Sequence, residues 1–187
     1  STPDRENIFA AVASTLDQLN LNIWDARIYN SDSGYTIDTF YVLDENDESI
    51  GNDKKRLERI RRTLRKVLSK EDYTPEIINR RTPRQLKNFT MPTRVDISED
   101  LTHGFTILEV TSPDRPGLLA RIGRVFLQFG IQLLNAKIAT LGERVEDIFF
   151  ICDKNGEIIT DPELCQSLKD EICRQLDEQV ESDHITF

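Results

Sequence analysis

Two histidines and three cysteines are all that this 187-residue chain offers of the residues that most often hold metals or carry nucleophilic and redox chemistry. His103 stands beside Gly104 in a stretch with turn character, and His184 lies near the end without companions, so neither predicts a metal site. No Cys-His or Ser-His-Asp arrangement can be assembled around them. Cys152, Cys165 and Cys173 form no CxxC pair. The last two, eight residues apart on one expected helix, are on the order of 12 Å apart along its axis, too far for a bridge. The thiols are therefore expected to be reduced. No apolar run approaches the roughly 20 residues that span a bilayer, and no charged, apolar and cleavage-site sequence opens the chain. The expected setting is the cytoplasm, with no membrane partner.

Charge is present but unevenly placed. From Lys54 to Lys87 there are 13 Lys or Arg against 4 Asp or Glu, a local +9, so the remainder carries −18 within a total of −9. The first half of this block, KKRLERIRRTLRKVL, sets Leu57, Ile60, Leu64, Val67 and Leu68 at helical spacing, which turns the arginines toward solvent. Tyr73 is its single aromatic, whereas single-strand binding platforms use several. With the chain acidic as a whole, nucleic acid is not the expected partner.

What the sequence does contain is a repeat. At a shift of 110, Pro3, Asp4 and Arg5 fall on Pro113, Asp114 and Arg115, Ile8, Phe9 and Ala10 on Leu118, Leu119 and Ala120, and Ala26 and Ile28 on Ala136 and Ile138. After one lost residue, Asp38, Phe40, Val42, Asp44, Asn46, Glu48 and Ile50 fall on Asp147, Phe149, Ile151, Asp153, Asn155, Glu157 and Ile159. A register held over some fifty residues with one gap in a hairpin predicts two copies of one domain.

The second copy is the easier to read. Phe105 to Thr111 has strand character, and Pro113-Asp-Arg-Pro-Gly117 breaks it. Leu118 to Phe129 has helical periodicity, with Gly130 placed for a left-handed cap. Ile131 to Ala139 predicts a second strand, 142 to 144 a hairpin, and Val145 to Cys152 a central third strand. A helix capped by Asp161 with Pro162 in its first turn should bury Leu164, Leu168, Ile172, Leu176 and Val180, and His184 to Phe187 suits a short closing strand. Copy one is expected to follow with helix 8 to 19, strands 21 to 29 and 35 to 43, helix 53 to 68 and a late strand near Thr93 to Ile97. Its first strand is missing, which suggests a piece of a longer polypeptide. The expected class is α+β, two tandem ferredoxin-like βαββαβ domains over residues 1–98, with a linker at 69–92, and 99–187, each an antiparallel sheet with helices on one face.

Asp-Arg-Pro-Gly followed by an amphipathic helix, a break and an aliphatic strand resembles the ACT domain, a small-molecule sensing module. Over NIFAAVASTLDQLNLNIWDARI (7–28) and LLNAKIATLGERVEDIFFI (133–151) the resemblance extends to the C-terminal tandem ACT region of the bifunctional uridylyltransferase/uridylyl-removing enzymes, which modify the PII signalling protein. It implies that L-glutamine bound here shifts attached catalytic domains from adding UMP to removing it. This chain has neither the Gly-Ser loop with paired aspartates of nucleotidyl transfer nor the clustered histidines of an HD hydrolase, so it is expected to be catalytically silent and to need no cofactor.

The residues themselves suit a zwitterion. Backbone N–H groups around Gly117 and Leu118 at a helix start can hold a carboxylate, and Asp114 can pair an ammonium. The ACT pattern adds an amide at the start of the second strand of the neighbouring domain, which here is Asn22 or Gln132. The candidate ligand residues are Asp4, Asn7, Ile8, Asn22, Asp114, Arg115, Gly117, Leu118, Gln132 and Asn135. Each also has a structural reading: Asp4 and Asp114 as helix caps, and Asn22, Asn135 and Gln132 as strand-end partners. Copy one departs from the motif, with Glu6 for proline and Asn7 for glycine. Two further readings stand beside the sensor: a docking module that uses the basic 54–87 segment, and a phosphate cradle built on Arg115, which the adjacent Asp114 opposes. Two ACT copies could pair within one chain or between two chains of a homodimer.

Overall fold

A computed structural model describes residues 2–3, 8–30, 35–70, 91–114, 117–141 and 144–184. In chain order the elements are β1 (Thr2–Pro3), α1 (Ile8–Gln18), β2 (Asn22–Asn30), β3 (Tyr35–Leu43), α2 (Lys54–Leu68), β4 (Arg94–Asp100), β5 (Phe105–Pro113), α3 (Leu118–Phe129), β6 (Gln132–Lys137), β7 (Thr140–Leu141), β8 (Arg144–Cys152) and α4 (Pro162–His184).

Both copies share one antiparallel sheet, ordered β1-β3-β2-β6-β8-β5-β4, with β7 paired to β8. The helices pack in a matching row in which α1 touches α2 and α3, and α3 touches α4. The middle of that row is the most apolar: α1 buries every residue from Ile8 to Leu16, and α3 buries Leu118, Ala120, Ile122, Val125 and Phe126. The outer α2 packs Ile60, Leu64 and Leu68 against the core and leaves Arg59, Arg61, Arg62 and Arg65 exposed, as its periodicity requires.

The seam is a β2–β6 pairing in which Asp25 faces Lys137, Ala26 faces Ala136 and Arg27 faces Asn135. Ala26 and Ala136 are repeat equivalents, so a pseudo-two-fold axis passes between them and exchanges the other two pairs. Both alanines are fully buried. The repeat extends to backbone detail. The turns after α1 and α3 both adopt left-handed φ, at Asn20 and Gly130, and both close with a bond back into the last helical turn, Leu21 N–H to Leu16 O at 3.0 Å and Ile131 N–H to Phe126 O at 2.8 Å. β2 and β6 carry matching bulges, at Trp24 and Leu134.

Four expectations are corrected. The late strand assigned to copy one, β4, pairs along its whole length with β5 of copy two. Thr93 fixes it there: its Oγ1 donates to Asp177 of α4 at 2.7 Å and lies 3.2 Å from Ser112 Oγ. Of copy one's first strand the end is present, since Thr2 and Pro3 face Thr36 and Tyr35 as Ser112 and Pro113 face Val145 and Arg144. Pro113 continues β5 instead of breaking it. The β4 ladder ends at Thr111, so the missing N–H of Pro113 interrupts nothing on that side. His184 belongs to α4, not to a closing strand, and residues 185–187 lie outside the described part. Residues 142–143 of the expected hairpin and most of the 69–92 linker also fall outside it, whereas Arg144 opens β8.

Candidate functional site

Strand direction decides which residues can meet. β2 and β6 are antiparallel, so residues of β2 before Asp25 run toward the end of β6, where Thr140 and Leu141 lie beside Val145 and Arg144. Those two residues of β8 face Ser112 and Pro113. The corner of copy two and Asn22 of copy one therefore share one end of the sheet. The same reasoning sets Gln132 at the opposite end, with the Thr2–Pro3 corner of copy one.

At the copy-two corner, β5 enters buried through Ser112 and Pro113, and α3 leaves buried through Gly117 and Leu118. The N-cap of α3 is Gly117, at φ 78°, a left-handed conformation that suits glycine. Asp114 is thus not the cap, and it stands three residues earlier, half-buried and engaged within the protein. A glycine cap leaves the first turn of α3 without a side-chain acceptor from its cap residue. The outer helices differ: Asp53 accepts from Lys55 and Arg56 N–H at 3.0 and 3.1 Å, and Asp161 from Glu163 N–H at 3.0 Å.

The two amides have structural work. Asn22 Nδ2 donates to Asp47 Oδ1 at 2.8 Å and Asp44 O at 3.3 Å, and Gln132 Nε2 donates to Lys154 O at 3.0 Å. Each thereby braces the turn after the adjacent strand. In those turns Asp44 and Asp153 each accept two backbone N–H bonds, which hold both carboxyls below the usual range. An Asn22→Ala variant is expected to lose about 1 kcal/mol of stability, read from urea melts, and a ligand contribution would add a drop in affinity beyond it. Asn135 lies at the seam, with Oδ1 accepting Ala136 N–H at 2.9 Å. Ile8 and Leu118 are buried at their helix starts. Asp4, Asn7 and Arg115 lie outside the described residues.

Sequence reasoning missed Asp147. Along β8 the alternating residues Val145, Asp147, Phe149 and Ile151 are all buried, so an acid occupies the inward register of a central strand. Asp147 is 1% exposed; its Oδ1 accepts Ala139 N–H at 3.2 Å, and its Oδ2 is buried without a hydrogen-bond partner. Burial, reinforced by the charge of Asp114, pushes its pKa up to about 7. The sequence shows only that the repeat places an aspartate, Asp38 or Asp147, at the same position of both copies; in the structure Asp38 is half-buried and Asp147 buried.

Elsewhere the chemistry is quiet. His103 bonds Asp100 through Nδ1 at 2.9 Å and stacks on Phe105 at the surface. Cys152 is buried with its thiol pushed up to about 11, mainly by burial. Among the described residues no group of three His, Cys, Asp or Glu could hold a metal ion, and no helix is long and apolar enough to cross a membrane.

Residues 106–164, which run from β5 into α4, match the ACT domain family. Residues 106–164 thus form an ACT domain. The first copy, outside that match, repeats its topology and register across the seam. The ACT-domain chain is 53% identical over 174 residues to a bifunctional uridylyltransferase/uridylyl-removing enzyme of Pseudomonas fluorescens, covering 93% of the chain and 19% of the relative. Enzymes of the same description from Pseudomonas savastanoi and Ectopseudomonas mendocina are 51% and 52% identical over 97% and 94% of the chain. The ACT-domain chain spans about a fifth of the length of these relatives. No solved structure gives a significant match.

Proposed function

We propose that this tandem ACT region is an amino-acid sensor, with L-glutamine the effector, which controls uridylyltransferase and uridylyl-removing activities on a PII-type signalling protein in a longer cytoplasmic parent enzyme. The observation that carries the reading is the pseudo-two-fold seam, which brings each copy's corner to the same end of the sheet as the other copy's amide. An amino acid closed into that corner would bear on both copies at once. In the assignment, N–H groups from Gly117, Leu118 and the first turn of α3 hold the carboxylate, Asp114 and Arg115 flank it, and Asn22 approaches across the seam. The first copy would use Asp4, Asn7 and Ile8 with Gln132, and Asn135 would tune the seam itself.

Affinities from millimolar to micromolar correspond to about −4 to −8 kcal/mol, which a few polar contacts to an enclosed amino acid supply. The ligand biases the parent only by its difference in affinity between two states, typically about 1–3 kcal/mol, so two coupled sites exceed the leverage of one. Calorimetric titration of the chain with L-glutamine is expected to give heat in that range, with glutamate markedly weaker; silence toward all twenty amino acids would sink the reading. The exposed basic face of α2 supports the second reading, docking on an acidic partner. That reading gains if the amino-acid titrations are flat and reversing charge at Arg61 and Arg62 alters the parent's activities.

A further inference from the structure

The helix row and the core lie against one face of the sheet, toward which Ala26, Phe40, Val42, Ala136 and Phe149 point. Side chains alternate along a strand, so the residues between these face the other way. On that open face Trp24, Ile37 and Tyr41 are exposed by 63%, 53% and 52%. They form one patch. Ile37 and Tyr41 share a face of β3, and the β2 bulge sets Trp24 with Asp25 opposite Tyr41. Phe150, the repeat counterpart of Tyr41, is half-buried, because Phe105 meets it edge-on at 5.2 Å and the Lys137 ammonium lies 5.6 Å from its ring.

The charges of this face are settled within it. Arg27 pairs with Asp25 at 3.2 Å, Arg94 with Asp96 at 2.6 Å, and Arg144 with Glu146. In a chain of net charge −9 this face therefore offers no net field to an ionic partner, and its exposed rings fit another apolar, uncharged surface. Its size narrows the choice of partner. The six strands from β3 to β4 span about 24 Å and share a length of about 23 Å, which gives about 550 Å². Counted on both partners that is about 1,100 Å², below the roughly 1,600 Å² of stable free complexes but within the range of about 600–1,500 Å² for contacts between domains of one polypeptide. The relatives are about five times as long as this chain. Polypeptide joined ahead of Thr2 would adjoin the patch, because β1 lies along β3.

We propose that the open face of the sheet, centred on Trp24, Ile37 and Tyr41, is the surface by which this region docks on the remainder of its own polypeptide, against an apolar and uncharged part of the catalytic body. The inference rests on the reading of the chain as the regulatory part of a longer enzyme, and it holds whichever effector binds. It is separate from the basic face of α2, which would take an acidic partner.

Trp24, the only tryptophan of the chain, is the probe. The chain and the full-length parent are labelled with 5-fluorotryptophan, and the Trp24 signal of the parent is identified by its loss in Trp24→Phe. Relaxation of that signal by a soluble gadolinium chelate reads its exposure. In the parent the effect should be about fivefold weaker than in the chain, as expected when a side chain 63% exposed enters the core of an interface. The I37K/Y41K variant of the parent should return it to within about twofold of the chain's value, because an apolar contact does not bury two unpaired ammonium groups. Equal relaxation in chain and parent overturns the inference, and so does unchanged protection in I37K/Y41K. Protection in the chain alone that grows with its concentration also overturns it, by making a second copy the occupant. Should I37K/Y41K not fold, the comparison of the unaltered parent with the chain decides by itself. Flat amino-acid titrations would remove the sensing reading and leave this one standing.

Discussion

Replacing Asp147 by Asn is expected to stabilise the ligand-free protein at pH 8 by about 1–3 kcal/mol. The sign follows from linkage. The folded pKa of Asp147, about 7, lies above its ordinary value of 3.8, so the folded state resists its ionisation. Stability attributable to this group is therefore retained below about pH 4, declines as pH rises, and levels off above about pH 7. The full span amounts to at most about 4 kcal/mol. The Asn amide offsets part of that gain, because it buries an N–H pair where one oxygen had no partner. Urea melts from pH 4 to pH 8 check this: the advantage of the variant should vanish near pH 4 and be complete by pH 8. A constant difference across the range would mean that Asp147 finds a counter-charge in the folded state. The acids with lowered pKa act in the opposite window. Glu171, held down to about 2 chiefly by hydrogen bonds from Arg174 and Gln175, loses its contribution only as pH falls below its ordinary 4.5. The protein should thus be most stable in mildly acid solution.

Substituting Gly123 tests the other half of the seam. α1 and α3 approach so closely that a Cβ at position 123 would lie 2.9 Å from Ala10 Cβ, 3.0 Å from Ala10 Cα and 3.1 Å from Phe9 Cδ1. Two of these atoms belong to a small residue or to backbone, so the helices themselves must move apart. Alanine is the better helix former by about 1 kcal/mol, but overpacking typically costs about 1–3 kcal/mol. Gly123→Ala should therefore destabilise by about 1–2 kcal/mol net, and Gly123→Val by more. The separation would also strain the short β2–β6 ladder, so the valine variant should lose cooperative unfolding along with stability. A thermal transition at or above that of the parent would show that the contact between the copies yields freely.

Much of this architecture was legible because it is written twice. The same spacing produced both inner helices, the left-handed exits at Asn20 and Gly130, and the paired turns at Asp44 and Asp153. β4 was misassigned for a physical reason: its own sequence, RVDISED, specifies a strand but not which edge completes it. That choice depends on distant groups, the Thr93 hydroxyl with Asp177 and Ser112. The amides illustrate the opposite case, since their position relative to the repeat was readable but their bonds to the turns were not. Asp147 was missed because β8 reads as apolar on both faces; the repeat pairs it with Asp38, but the burial pattern is what shows which face its carboxylate occupies.

The covalent join between the copies has a last consequence. A sensor assembled from two separate identical chains dissociates on dilution and must keep both halves alike, because one gene writes both. Here the intervening chain holds the partners at a high effective concentration, so response should not depend on how much protein the cell makes. It also frees each half to drift from the other, as Glu6 and Asn7 already have from Pro116 and Gly117. Under the proposed sensing function, one site can then be set for scarcity and its twin for plenty, widening the span of metabolite levels that a single polypeptide reports.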